Sequence, residues 1–146
     1  MPTELTWPEV AARLAPARSY WLGTVSAVGA PHAAPVWGVV VDDDLYLYSE
    51  RSTVKARNLV ADPRVVVHLE SAEDVVIVHG RLDDLGAPGE RGDVVAALAA
   101  KYPDPDDAQY LPSQDPDFDV LYVLRPERAM AWRLDGYLTS QGRWRA

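Results

Sequence analysis

The chain is a succession of short runs rich in β-branched and aromatic residues, divided by turn residues, with helical spacing in only a few places. YWLGTVSA (20–27) and HAAPVWGVVV (32–41) are two such runs, and Val28-Gly29-Ala30-Pro31 between them carries turn chemistry. Asp42-Asp43-Asp44 makes a second turn before LYLYS (45–49), so the first three strands are expected to form a meander. RVVVHLE (64–70) and DVVIVHGRLDDL (74–85), joined by Ser71-Ala72-Glu73, read as a further hairpin. DVLYVLRPERAMAWRL (119–134) reads as two strand-like runs hinged at Arg125-Pro126-Glu127, followed by the tail GYLTSQGRWRA.

Helical spacing is found at three places. Residues 5–15 have Thr6 as a cap, Pro8 in the first turn and Val10 and Leu14 four apart. Residues 52–63 are capped by Ser52 or Thr53 and closed by Pro63. Residues 88–102 align Val94, Leu98 and Tyr102 before Pro103. Segment 103–117 holds four prolines and five aspartates and is expected to be a loop. Six or seven strands linked mostly by hairpins, with helices inserted after the third and fifth, predict a mainly β fold. An antiparallel closed or nearly closed barrel fits this pattern, and a parallel nucleotide-binding sheet does not. The 146 residues suit one domain spanning 1–146, without internal repeat or linker.

Composition narrows the functions. A net charge of −8 would repel a phosphate backbone, so no nucleic-acid partner is expected. The chain has no cysteine, which excludes disulfides, thiolate metal sites and a cysteine nucleophile. No apolar run approaches the roughly 20 residues that span a bilayer, and MPTELTWPEV has no basic-then-apolar leader pattern; no membrane partner and a cytoplasmic location are expected. His32, His68 and His79 are dispersed without metal-ligand spacing, and the aspartate-rich loop lacks calcium-loop spacing, so no metal site is expected. Dinucleotide, phosphate-loop and serine-hydrolase glycine motifs are missing as well.

Two segments carry candidate chemistry. From Tyr48 to Leu59 a strand runs through hydroxyl and basic residues into a helix, whose first turn offers free N–H groups and the positive end of its dipole. Ser49, Ser52 and Thr53 add hydroxyls there, and Arg51, Lys55 and Arg57 add positive charge. A capped surface helix with solvated basic residues would show the same pattern. The second segment is Ala34-Pro35-Val36-Trp37-Gly38-Val39, in which Pro35 removes a donor, Gly38 has no side chain and Trp37 offers a flat ring. A planar ligand could lie along it, and a barrel strand bent at Gly38 with Trp37 in the core fits equally well.

With these features in place, the chain resembles the pyridoxamine-5′-phosphate-oxidase-like split barrels, particularly the branch of F420-dependent (deazaflavin) oxidoreductases. The resemblance is carried by Tyr20-Trp21-Leu22-Gly23-Thr24-Val25, Gly29-Ala30-Pro31-His32, Ala34-Pro35-Val36-Trp37, Tyr48-Ser49, Thr53 to Leu59 and Asp62-Pro63-Arg64-Val65, over about residues 18–85. It implies an antiparallel split β-barrel of Greek-key and meander type. It implies a cofactor phosphate on Ser49, Arg51, Thr53 and Lys55, with Arg57 and Asn58 nearby, and a ring system along Pro35, Val36 and Trp37. It also implies a homodimer with cofactor sites at the interface, approached by the Gly142-Arg143-Trp144-Arg145 segment of the other copy. The implied activity is transfer of a hydride from reduced F420 to a small organic acceptor. FMN is the alternative cofactor, and a non-catalytic carrier of F420, FMN or haem is the alternative role.

Overall fold

The computed structural model describes residues 2–146. Its strands are β1 (Thr3–Glu4), β2 (Tyr20–Val25), β3 (Pro31–Val36), β4 (Gly38–Val41), β5 (Asp44–Ser49), β6 (Arg64–His68), β7 (Asp74–Asp84), β8 (Val120–Arg133) and β9 (Gly142–Arg145). The helices are α1 (Trp7–Leu14), α2 (Val54–Ala61), α3 (Gly92–Lys101) and the single turn α4 (Tyr137–Ser140). One mixed sheet runs in the order β1-β9-β8-β7-β6-β2-β3, and β5 joins it by pairing with both β4 and β8. The mainly β fold agrees with the expected split barrel.

β8 is the axis of this arrangement. Its first residues pair with β5, Arg128 to Ala131 with β9, and nearly its whole length with β7. Alternation along β5 and β8 sends successive side chains to opposite faces, and both faces are covered. Leu45, Leu47, Val120, Tyr122 and Leu124 join Leu22, Val67, Val76 and Val78 inside the barrel. Tyr46, Tyr48, Leu121 and Val123 pack outward on Val94, Leu98 and Tyr102 of α3 and its end. Helix α3 therefore lies on the side of the barrel that also carries Tyr46 and Tyr48 of β5.

Turn chemistry acts as expected where it is local. Asp42 and Asp43 both have positive φ (50° and 65°), the geometry of a two-residue turn that matches hairpin twist. Gly29 has φ +84° in the first hairpin. Thr6 caps α1 with a reciprocal bond from Glu9, and Thr53, rather than Ser52, caps α2.

Several expectations are corrected. There are nine strands rather than six or seven, and the sheet is not purely antiparallel, because β1 pairs with β9 in parallel. The run 32–41 is two strands broken at Trp37: β3 pairs with β2 and β4 with β5, so the chain changes partners there. The run 119–134 is one strand of 14 residues, not two hinged ones. Its register with β7 shifts between His79 and Gly80, and the bulge admits Pro126, which has no N–H for the ladder. The helix expected at 88–102 is shorter, beginning at Gly92 after a separate 3-10 turn, Pro88–Glu90. Another 3-10 segment, Pro105–Tyr110, lies within the expected loop. The tail extends the sheet: β9 pairs with β8 and β1 and brings Trp144 to within 4.9 Å of Trp7, centroid to centroid.

At the bulge, a Cβ on Gly80 would collide with the Arg125 carbonyl and lie 2.9 Å from Pro126 Cα, both of them backbone. We expect Gly80→Ala to lower stability by about 1–3 kcal/mol in urea unfolding. Gly89→Ala, with no neighbour within 4 Å, should leave the midpoint unchanged.

Candidate functional site

The break between β3 and β4 is held from outside by the end of α3. Lys101 Nζ donates to the Gly38 carbonyl at 2.7 Å and to the Tyr20 hydroxyl at 2.9 Å. The Gly38 N–H donates to the Tyr102 hydroxyl at 3.2 Å, and that hydroxyl donates to the Arg18 carbonyl at 2.6 Å. Both polar groups of Gly38 are thus bonded to side chains. Its missing side chain is required, because a Cβ would lie 2.5 Å from the Tyr46 carbonyl oxygen. This clamp aims Trp37: its ring stacks on Tyr102 at 4.3 Å and 9°, with the Arg18 guanidinium 4.8 Å from its centroid.

Beside Trp37 lies a cleft of about 410 Å³. Pro35, Val36 and Trp37 form one wall, Tyr48, Ser49 and Glu50 a second, and Thr53 and Lys55 of the α2 start a third; Tyr110 and Phe118 reach in from the long loop. The two segments singled out from the sequence therefore meet at one place. Ser49 and Thr53 hydroxyls lie 3.2 Å apart, and Thr53 Oγ1 donates to the Glu50 carbonyl at 2.8 Å while capping α2. Lys55 is half-buried and has no hydrogen bond or ion pair among the described residues. Burial holds its ammonium below the ordinary lysine range, against the opposing pull of Glu50.

Other residues are committed elsewhere. Arg51 makes a two-pronged ion pair with Asp84, at 2.8 and 3.1 Å, and its N–H donates to Asp119. Asn58 points away from the cleft into the barrel, donating to Thr24 Oγ1 at 3.0 Å and fixing α2 on β2. Ser52 and Arg57 are exposed at the α2 start, outside the cleft lining. Arg143 and Trp144 line a separate hollow beside β1. The Tyr48 hydroxyl donates to the Tyr110 carbonyl at 2.6 Å, and burial raises its pKa, so it serves to hold the loop. Among the described residues, no group of three or more histidine, aspartate or glutamate side chains is placed to hold a metal.

Glu50, Tyr110 and Phe118 were not identified from the sequence as cleft residues, nor were Lys101 and Tyr102 as its support. Aromatic residues in an otherwise acidic, proline-rich loop are the one sequence signal that could have marked Tyr110 and Phe118. The pairing of Tyr110 with Trp37, edge to face at 5.8 Å, joins residues too far apart in the chain for any local pattern.

A split barrel with a cleft between a kinked strand and a helix start is the architecture these observations define. The chain belongs to the pyridoxamine 5′-phosphate oxidase family, whose model matches residues 6–133. The fold is shared with a conserved hypothetical protein, Rv2991 from Mycobacterium tuberculosis, at 23% identity and TM-score 0.71, over 90% of this chain and 86% of that one. It is shared also with an F420 reductase, at 24% identity and TM-score 0.62, over 79% and 90% of the two chains. A third similar structure is the haem storage protein HutZ from Vibrio cholerae, at 22% identity and TM-score 0.64, over 87% and 92%. At these identities the likeness shows the fold alone. No match to the chain is found among the curated proteins.

The support of Trp37 is sensitive to pH. Burial pushes Lys101 down to about 8, against 10.5 for a free lysine. Between those values the unfolded chain binds the proton and the folded chain does not, so the contribution of this group to stability rises with pH across that window. We expect the melting temperature of the wild type, relative to Lys101→Met, to increase from neutral pH to about pH 10 in circular dichroism. Above that, Tyr20 and Tyr48, whose pKa values burial raises, reverse the trend in both proteins. A constant difference would mean that Lys101 titrates like an exposed lysine.

Proposed function

We propose that this protein is an F420-dependent oxidoreductase that works as a homodimer, binding the phosphate of the cofactor at the α2 start and its ring along Pro35–Trp37. The carrying observation is Lys55: a half-buried ammonium without a hydrogen bond or ion pair, opposed only by the more distant charge of Glu50, beside two hydroxyls and the N-terminal end of α2, in a cleft walled mainly by aromatic and apolar side chains. A flat ring with an anionic arm satisfies both halves of that surface.

The charge of the cleft favours F420 over FMN. Among the described residues Lys55 is the only cation in its lining, Arg51 is neutralised by Asp84, and Glu50 lines the same cleft. That balance suits the single charge of a phosphodiester better than the nearly two charges of a terminal phosphate ester at neutral pH. Arg57, exposed and without an acidic partner, remains for the longer acidic tail of F420. The deazaflavin supplies hydride transfer, and this chain's residues supply position and partial exclusion of water. The Tyr48 hydroxyl is occupied with the loop, so no side chain is assigned as proton donor.

A row of cross-strand neighbours supports the dimer. Pro35, Trp21, His68, Ile77 and Met130 follow one another across β3, β2, β6, β7 and β8 on the outer face of the sheet. Trp21 and Met130 are each 37% exposed, a largely apolar strip of the kind that a second copy covers. Pro35 belongs to both the strip and the cleft, which would put the cofactor sites at the interface.

Titrating the protein into F420 and following fluorescence anisotropy should give saturable binding at or below about tens of micromolar. Lys55→Ala should weaken it by about tenfold or more, with the circular dichroism spectrum unchanged, and FMN should bind less tightly than F420. Equal affinity for both cofactors, or no loss in Lys55→Ala, would overturn the assignment. Oxidation of reduced F420 by members of a panel of quinones and enones supports the enzyme. Binding without turnover would make the protein a carrier.

Light scattering after size exclusion should report a dimer for the wild type and a monomer for Trp21→Arg. A monomeric wild type would remove the interface.

A further inference from the structure

Once the anionic arm of the cofactor is matched to Lys55, the lining of the cleft has no other cation among the described residues. What remains is largely aromatic. Trp37 and Tyr48 stand on its walls, and Tyr110 and Phe118 reach in from the loop between α3 and β8. Each loop ring meets a wall ring edge to face, Tyr110 with Trp37 at 5.8 Å and Phe118 with Tyr48 at 5.2 Å. Tyr110 is nevertheless 51% exposed, so part of its ring is left open to a ligand. Its position is fixed from two sides. The Tyr48 hydroxyl donates to the Tyr110 carbonyl, and Asp107 of the same 3-10 segment takes both prongs of Arg18, at 2.9 and 3.1 Å.

The charge around these rings has one sign. Glu50 is the one acidic side chain of the lining. The segment from Tyr102 to Leu124 holds six aspartates and no lysine, arginine or histidine. Of those aspartates only Asp107 is in an ion pair among the described residues, and Asp117 and Asp119 flank Phe118. The faces of aromatic rings attract cations through the ring quadrupole, and carboxylates nearby act in the same direction. Rings alone would accept any flat compound, and carboxylates alone any solvated cation. Together they select a compound that is both flat and positive.

We infer that the cleft takes as its hydride acceptor a flat cationic aromatic compound, of the N-alkylpyridinium or N-alkylacridinium class, held against Tyr110 and Phe118 and selected over neutral and anionic compounds of the same shape. The reaction rests on the F420 reading; the selection by charge rests on the cleft alone. The balance suits the residues present. Hydride, a proton with two electrons, forms a C–H bond at a ring carbon of the acceptor and cancels its positive charge, while the reduced deazaflavin gives up that hydride and releases one further proton to water. The dihydro product is neutral and requires no proton. A quinone or enone becomes an oxyanion that does require one, and the Tyr48 hydroxyl is committed to the loop. Loss of the charge also weakens the hold of the carboxylates, so the product leaves more readily than the acceptor.

The test is fluorescence titration of the full chain with three probes of one skeleton: N-methylacridinium, acridine and acridine carboxylate. It is run at mildly alkaline pH, where acridine is neutral, with and without saturating F420. The cation should bind tightest and the anion about tenfold or more weaker, a gap that added salt narrows. Tyr110→Ala and Glu50→Gln should each weaken cation binding by about threefold or more. Asp135→Asn removes the same charge just beyond the opposite end of β8 and should change it less than about twofold. With reduced F420, N-methylacridinium should be consumed to dihydroacridine with a higher kcat/KM than either other probe. The inference is overturned if the anion binds as tightly as the cation, if Asp135→Asn weakens binding as much as Glu50→Gln does, or if Tyr110→Ala and Glu50→Gln leave the order of affinities and the cation affinity unchanged. Failure of the F420 reading looks different: F420 does not bind, while the order of the three probes on the chain persists.

Discussion

Two side chains from the end of α3 grip one glycine, and the cleft takes its shape from that grip. Lys101 holds the Gly38 carbonyl and Tyr102 receives the Gly38 N–H. The strand run ends there, β3 and β4 go to different neighbours, and Trp37 is left at the corner with its ring stacked on Tyr102. The ammonium and the hydroxyl are largely buried, where an unpaired polar group is costly, so the bonds are strongly favoured and the corner is rigid. The wall of the cleft is positioned by a helix that contributes no residue to its lining.

Charge is arranged with the same economy. Most arginines are neutralised by an acidic neighbour on the surface, which leaves few free cations in an acidic protein. Those that remain are informative because of their isolation. Lys55 has no ion pair in a cleft beside hydroxyl groups, where Glu50 is the one acidic side chain of the lining. A cation without a partner is a place where an external anion gains the most, since it competes with water alone.

The mainly β barrel was legible in the chain because hairpin turns, β-branched runs and helix caps act over a few residues, and the pyridoxamine 5′-phosphate oxidase family through the motifs that carry the resemblance. Asp42 and Asp43 make their turn and Thr53 caps its helix through such local effects. The meeting of Pro35–Trp37 with Ser49–Lys55 was anticipated from the resemblance, and the barrel does bring those segments together. Arg51 shows the limit of this reading. Its proximity to the helix start suggested a cation facing the cleft, but Asp84, at the far end of β7, takes it.

From the sequence alone came most of the β-rich runs, the two capped helices, the family and the basic helix start, since each depends on neighbours along the chain or on motif. Tertiary structure decided which strand continues through Pro126, where the run at 32–41 breaks, that Tyr110 and Phe118 enter the cleft, and which cations remain unpaired. Those outcomes turn on partners tens of residues away, and spacing within a segment carries no information about which distant group will arrive opposite it.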